Sequence, residues 1–84
     1  MSIGVAHIYN IIDMEQKKFG ERLKAFRLEN GYTQARLAEI LGIKQSSVSD
    51  WENNISRPEY ENLIALSFIY DETLDSLLGV ERLK

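Results

Sequence analysis

The sequence of 84 residues contains no cysteine, one histidine and one proline. The lack of cysteine excludes disulfides and cysteine-ligated metal sites, and the lone His7 has no second histidine with which to hold a metal. Stability must therefore come from packing of an apolar core, in a chain near the lower size limit for folding without such staples.

Long apolar runs and catalytic motifs are missing as well. The longest apolar runs are a few residues, whereas a membrane-spanning helix needs about 20, and the N-terminus lacks the basic region of a signal peptide. There is no glycine-rich phosphate loop and no evident pair of nucleophile and base. We therefore expect a cytoplasmic, non-enzymatic protein that needs no cofactor and contacts no membrane, and the apolar content of 44% is typical of a globular domain.

Basic residues are in the minority, with 10 Lys and Arg against 13 Asp and Glu and a net charge of −3. The imbalance is unevenly distributed along the chain. Residues 1–58 contain eight basic and seven acidic residues, and residues 59–84 contain two basic and six acidic ones. Because phosphate binding depends on the local potential, the acidic total does not exclude nucleic-acid binding by the first two thirds of the chain.

Helical periodicity predicts a first helix that begins after Asp13, as its cap, and ends before Gly31, which supplies a left-handed residue. Gly20 inside this pattern costs about 1 kcal/mol relative to alanine, so a helix break or a later start near Lys18 also fits. The inner face of this helix is formed by apolar residues at positions i, i+4 and i+7, namely Phe19, Leu23 and Phe26.

Residues 1–12 are apolar but show mixed periodicity. A strand, a short helix or an arm that packs on a second subunit all fit this pattern. We divide the chain into an N-terminal arm or extension (1–13), a helical domain (14–79) and a short C-terminal tail (80–84).

The central part of the chain predicts two short helices joined at Gly42, which can adopt the positive φ of a tight turn. Thr33 is expected to cap the first of them, and the second covers residues 44–53. Val48 and Trp51 form the inner face of the second helix. This is the layout of a helix-turn-helix, whose second helix enters the major groove of DNA.

Two further helices are predicted after Pro58, over residues 59–71 and 74–79, the latter capped by Thr73. No strand is needed after residue 12. The predicted fold class is therefore all-α, with five helices.

Residues 31–58, GYTQARLAEILGIKQSSVSDWENNISRP, carry an ordered set of motif positions. Through them, residues 19–79 resemble the Cro/repressor (XRE-like) helix-turn-helix family. The resemblance implies a five-helix, lambda-repressor-like DNA-binding domain, here with a short N-terminal extension. It also implies dimeric binding to double-stranded operator DNA, transcriptional control, and a salt bridge between Arg27 and Glu52.

Four polar residues share the outer face of the second motif helix and are the candidates for reading base edges: Gln45, Ser46, Ser49 and Asp50. Glutamine can pair with adenine, serine with any base, and aspartate with the amino group of cytosine. Candidate phosphate contacts flank this face, and they are Thr33, Gln34, Lys44, Asn53, Ser56 and Arg57. A polar face that meets only solvent is the alternative interpretation.

The leading hypothesis is a sequence-specific transcriptional regulator, most simply a repressor, that acts as a homodimer. The dimer surface is formed either by the C-terminal helices (Leu74, Leu77, Leu78, Val80) or by the N-terminal arm (Ile3, Val5, Ile8). The rival hypotheses are an antitoxin and a protein-interaction module that uses the same fold with little DNA affinity and a protein partner.

Overall fold

The computed structural model describes residues 4–80, with the side chains of residues 4, 5, 8 and 18–80. These residues form five helices and no strand, which confirms the all-α, five-helix prediction. The helices are α1 (Val5–Glu29), α2 (Gln34–Leu41), α3 (Gln45–Glu52), α4 (Tyr60–Ile69) and α5 (Leu74–Leu78).

The predicted start of the first helix was wrong. Helix α1 begins at Val5. Its N-cap residue, Gly4, is extended and provides no side-chain cap, and the helix passes through both Asp13 and Gly20 without a break. Packing stabilises the part of α1 that begins at Phe19. Extending this existing helix towards its N-terminus gains one hydrogen bond per added residue and needs no new nucleus, so no cap is required at Asp13. The proposed boundary at residue 13 therefore does not coincide with a helix end. Of the proposed tail, residues 81–84 lie outside the described residues.

Local side-chain chemistry sets the ends of the shorter helices as predicted. The Thr33 hydroxyl accepts a hydrogen bond from the Arg36 amide at 3.0 Å and caps α2. Gly42, with φ of 69°, ends α2 in the left-handed conformation and turns the chain into α3. Thr73 caps α5 in the same way by accepting from the Ser76 amide at 3.0 Å. Contacts between neighbouring residues therefore set where α2 and α5 begin and where the chain turns from α2 into α3.

One apolar core joins the helices. Leu37 of α2 and Val48 of α3 are each 1% exposed, and Leu77 of α5 is fully buried. Ala38 is also buried, and its small side chain lets α2 and α3 approach closely. The buried apolar residues are Phe19, Leu23, Leu37, Ala38, Val48, Trp51, Leu66, Tyr70 and Leu77.

Candidate nucleic-acid interface

Helix α3 presents a polar face outwards because its apolar residues anchor the opposite face. Val48 and Trp51 are buried against the core. All four candidate base-reading residues retain solvent access: Gln45 and Ser46 are exposed, whereas Ser49 and Asp50 are half-buried. The structure thus places the four candidates together on the outer side of one eight-residue helix, a size that fits a major groove.

The C-terminal end of this face is ordered by Asn53. The Asn53 side-chain nitrogen, Nδ2, donates to the Ser49 backbone oxygen at 2.9 Å and to the Ser49 hydroxyl oxygen at 3.3 Å. The Ser49 hydroxyl can still donate its own hydrogen to a base. Asn53, predicted from sequence as a phosphate contact, therefore contacts Ser49, a candidate base-reading residue.

The N-terminus of α2 lies beside the C-terminus of α3. The Gln34 side-chain nitrogen donates to Glu52 Oε1 at 3.1 Å across 18 residues of sequence. The first-turn amides of a helix have no partner within the helix, and together with its dipole they favour an anion such as phosphate. Gln34 keeps one amide hydrogen for such a ligand. The sequence indicated Gln34 as a phosphate contact but did not indicate that Glu52 holds it in place.

Arg27 and Glu52 form a buried ion pair between α1 and α3. Arg27 Nε donates to Glu52 Oε2 at 2.7 Å, and Nη2 donates to Oε1 at 3.0 Å, a bidentate geometry. The two side chains are 8% and 4% exposed. Arg27 Nη1 also donates to the Tyr32 backbone oxygen at 2.9 Å, which fixes the segment before α2. The pair implied by the family resemblance therefore connects α1, α2 and α3.

The environment of the pair shifts two pKa values. The hydrogen bond to Glu52 raises the pKa of Arg27, although burial opposes the change. Burial, followed by the nearby charge of Glu52, raises the pKa of Tyr70. Because both pKa values move upwards from already alkaline values, neither group changes charge near neutral pH.

The last residues of α3 and the Asn54 side chain that follows them contact α1 at Gly20. Asn54 has a φ of 59°, and its side-chain oxygen accepts a hydrogen bond from the Gly20 amide at 2.9 Å. Gly20 in turn lies against the backbone oxygens of Trp51 and Glu52. Sequence reasoning missed this contact, because Asn54 lies just beyond the predicted helix 44–53 and Gly20 was considered only as a residue that weakens or breaks α1. We call this contact the Gly20–Asn54 joint.

The remaining phosphate candidates lie at the two ends of α3. Lys44 precedes the helix and is exposed, and so are Ser56 and Arg57 in the segment that follows it. The Asp50 backbone oxygen accepts from the Ile55 amide at 2.9 Å, which turns this segment sharply after the helix. The two candidate cations, Lys44 and Arg57, therefore lie on either side of the polar face of α3.

Among the side chains that the structure describes, those of residues 4, 5, 8 and 18–80, no group of three or more histidine or acidic residues is placed to hold a metal ion. No helix in the described part of the chain is both long enough and apolar enough to cross a membrane.

The part of the chain that contains this polar face is similar to known proteins. A family model described as helix-turn-helix matches residues 23–77. The chain is 40% identical to the HTH-type transcriptional regulator ImmR of Bacillus subtilis (strain 168) over 60 residues, which cover 71% of this chain and 47% of ImmR.

Two further relatives are named as an activator and as a repressor. The chain is 35% identical over 66 residues to the HTH-type transcriptional activator BcrR of Enterococcus faecalis, covering 79% of this chain and 32% of BcrR. It is 35% identical over 65 residues to repressor protein C2 of Salmonella phage P22, covering 77% of this chain and 30% of C2. The chain thus spans at most about half the length of these three relatives.

Proposed function

Because the chain belongs to the helix-turn-helix family, we propose that it is a sequence-specific, DNA-binding transcriptional regulator. In this proposal α3 enters the major groove of an operator. The observation that carries it is the solvent-accessible polar face of α3, held in place by buried residues and by the Arg27–Glu52 pair. A rigidly held helix with free donors and acceptors suits base recognition, because little conformational entropy is lost on binding.

Base recognition is assigned to the outer face of α3. The Gln45 amide can pair with the N6 and N7 edge of adenine, and Ser46 and Ser49 can donate or accept at any base. Asp50 can accept a hydrogen bond from the cytosine amino group. Opposite a base without that group, the carboxylate lies near phosphates with no donor to compensate the repulsion, so Asp50 disfavours other sequences.

Phosphate contacts are assigned to the groups around this face. The α2 N-terminus, with Thr33 and Gln34, clamps one phosphate. Lys44 and the post-α3 segment, with Asn53, Ser56 and Arg57, contact the backbone on either side of the reading helix. Such contacts fix the register without reading sequence. Because few cations take part, binding should be modest and sensitive to salt.

We propose a homodimer as the acting form, since two copies place two reading helices about 34 Å apart, one turn of DNA. We also propose repression. A bound domain blocks polymerase simply by occupying the promoter, whereas activation needs an additional surface that contacts polymerase. A reporter gene behind the chain's own promoter decides this point: loss of the regulator should raise expression, and a fall would indicate activation.

Removing two reading side chains should abolish sequence preference. Gln45→Ala and Ser49→Ala each remove a proposed base contact, which should cost about 1–3 kcal/mol of specific binding. The measurement is the affinity for a duplex selected from a random pool by the unmodified protein, compared with affinity for a scrambled duplex.

The control is Glu61→Ala, which changes an exposed residue of α4 and should leave both affinities unchanged. If both α3 variants kept the unmodified protein's preference for the selected duplex, base reading by this face would be refuted. If the unmodified protein selected no DNA even at low salt, the protein-interaction hypothesis would replace the regulator.

Arg57→Ala should behave differently, because a phosphate contact carries no sequence information. We expect affinity for selected and scrambled duplexes to fall by the same factor. The slope of log affinity against log salt concentration should become shallower by about 1. Lys24→Ala, which removes one positive charge from the exposed side of α1, is the matched control. A loss confined to the selected duplex would instead make Arg57 a base-reading residue.

A further inference from the structure

Asn54 lies at the point where the chain leaves the reading helix. Its φ is 59°, and Asp71 is the only other non-glycine residue with a positive φ in the described part of the chain. Asparagine tolerates this left-handed region better than most residues, but glycine would adopt it at lower cost. The backbone alone therefore does not require asparagine here, and the reason for this residue lies in its side chain.

The Asn54 side chain joins the end of α3 to α1. Its Oδ1 atom accepts a hydrogen bond from the Gly20 amide at 2.9 Å, between residues 34 positions apart. Gly20 also lies against the last turn of α3, where an added Cβ would stand 2.7 Å from the Trp51 backbone oxygen. The C-terminal end of the reading helix is thus attached to α1 by close backbone packing and by one hydrogen bond from a side chain.

The same residue begins the turn that leads to two of the proposed phosphate contacts. After Asn54, the amides of Ile55 and Ser56 both donate to the Asp50 backbone oxygen, at 2.9 and 3.4 Å. This turn brings the Ser56 backbone beside Asp50, a proposed reading residue, and Arg57 follows. Asn54 therefore lies between the reading face of α3 and the phosphate contacts at positions 56 and 57.

We infer that Asn54 is a positioning residue, which sets the register between base reading and phosphate contact. Its hydrogen bond to the Gly20 amide anchors the chain between the two sets of contacts, so that both can be made at once on one duplex. Asn54 does this without touching the DNA. The inference rests on the proposed function, because such a register matters only to a protein that reads bases.

The register is a property of one copy of the chain. Neither of the two dimer surfaces suggested by the sequence contains a residue of the Gly20–Asn54 joint, so the inference holds whichever surface pairs. Leu77 of the C-terminal surface is fully buried in the core of its own chain, and Ile3 of the N-terminal arm lies outside the described residues.

The register affects specific and non-specific binding differently. Non-specific binding is mainly electrostatic and tolerates a shift of the phosphate contacts along the DNA backbone. Specific binding requires phosphate contacts that hold α3 where its side chains meet particular base edges. A looser anchor should therefore weaken binding to a selected duplex more than binding to a scrambled one. The ratio of these two affinities, the specificity ratio, measures the effect of Asn54.

Three variants of the full chain test this role. Asn54→Gly keeps the positive φ and removes the Oδ1 acceptor, whereas Asn54→Asp keeps an acceptor and also tolerates a positive φ. Asp71→Gly is the matched control, because Asp71 follows the end of α4 with a φ of 51° and is exposed. Gel shifts give the affinities for a duplex selected from a random pool by the unmodified protein and for a scrambled duplex. Urea denaturation gives the stability of each variant.

We expect Asn54→Gly to lower the specificity ratio by about threefold to tenfold, the size of effect expected for one lost hydrogen bond. The affinity for the scrambled duplex and the salt slope should stay unchanged, unlike the uniform loss expected for Arg57→Ala. Asn54→Asp should recover most of the ratio, although its added negative charge weakens binding to both duplexes. Asp71→Gly should leave the ratio unchanged.

A role in folding alone predicts a different pattern. Partial unfolding lowers the affinity for both duplexes by the same factor and leaves the specificity ratio unchanged. Asn54→Gly should also change the urea midpoint little. Relief of the positive φ stabilises the folded state, and the lost hydrogen bond and the freer unfolded chain oppose this gain.

An unchanged specificity ratio in Asn54→Gly would overturn the inference. A loss of the same size in Asp71→Gly, or in Asn54→Asp, would overturn it as well, because neither change removes the acceptor at position 54. In these cases the selected duplex still binds and the proposed function stands. If the unmodified protein selected no duplex even at low salt, the proposed function would fail, and the role of Asn54 would fall with it.

Discussion

Glu52→Ala should remove about 3–5 kcal/mol of folding stability. The substitution leaves the Arg27 guanidinium 8% exposed and without its bidentate partner, and an unpaired buried charge of this kind costs that much. Since small domains are stable by about 5–15 kcal/mol in total, this loss is a large share of the stability, and the midpoint of urea unfolding should fall accordingly. Urea denaturation followed by helical circular dichroism measures the loss.

The chain provides a matched control on its surface. Arg36 and Glu39 form an ion pair at 2.8 Å, but their side chains are 58% and 73% exposed. Glu39→Ala should therefore cost less than about 1 kcal/mol. Equal losses for Glu52→Ala and Glu39→Ala would show that burial of the inner pair contributes nothing.

A third variant separates the net value of the pair from the cost of breaking it. Replacing both Arg27 and Glu52 by methionine removes both charges and keeps apolar volume, so its stability should lie near that of the unmodified protein. Its DNA binding should nevertheless be weaker, because Gln34 loses the acceptor that holds it at the α2 N-terminus. Such an outcome would indicate that the pair serves to position the interface rather than to stabilise the fold.

The parts of this fold that sequence predicts well are set by local chemistry. Thr33 and Thr73 have hydroxyls that can reach first-turn amides, and Gly42 tolerates a positive φ, so the ends of α2 and α5 follow from neighbouring residues. The outward face of α3 follows similarly, because Val48 and Trp51 occupy one side of a short helix. The Arg27–Glu52 pair was implied by family resemblance alone, since 25 residues separate its members.

The parts that sequence missed depend on contacts distant in the chain. The hydrogen bond from Gln34 to Glu52 exists only because α2 and α3 meet at opposite ends. The start of α1 was misplaced because Asp13 looks like a cap, and propagation from the packed part of α1 makes a cap there unnecessary. In both cases the deciding energy comes from tertiary packing, which residue spacing does not encode.

Gly20 illustrates the difference most clearly. From sequence it is a residue that weakens a helix by about 1 kcal/mol, and on that basis Gly20→Ala should stabilise the protein. In the structure, a Cβ at this position would lie against the Glu52 backbone oxygen and 2.7 Å from the Trp51 backbone oxygen. The two interpretations therefore predict changes in folding stability of opposite sign for Gly20→Ala.

We expect Gly20→Ala to destabilise the protein by about 2 kcal/mol, because overpacking of up to about 3 kcal/mol exceeds the gain in helix propensity. Backbone atoms at the end of α3 cannot move aside as a flexible side chain would. Gly20→Val should cost more, about 3 kcal/mol or above, as it adds methyl groups to the same space. Ala25→Gly, at an exposed site on the same helix, measures propensity alone and should cost about 1 kcal/mol.

The effect on DNA binding follows from the same contact. If α3 shifts to admit the Cβ, its reading face turns relative to the α2 N-terminus, and the selected duplex should lose affinity even at temperatures where Gly20→Ala is fully folded. Urea denaturation and gel shifts on the same samples separate the two effects. A stabilised Gly20→Ala variant with unchanged affinity would mean that close approach at the Gly20–Asn54 joint does not position α3, and that the apolar core and the buried ion pair hold α3 against α1 without it.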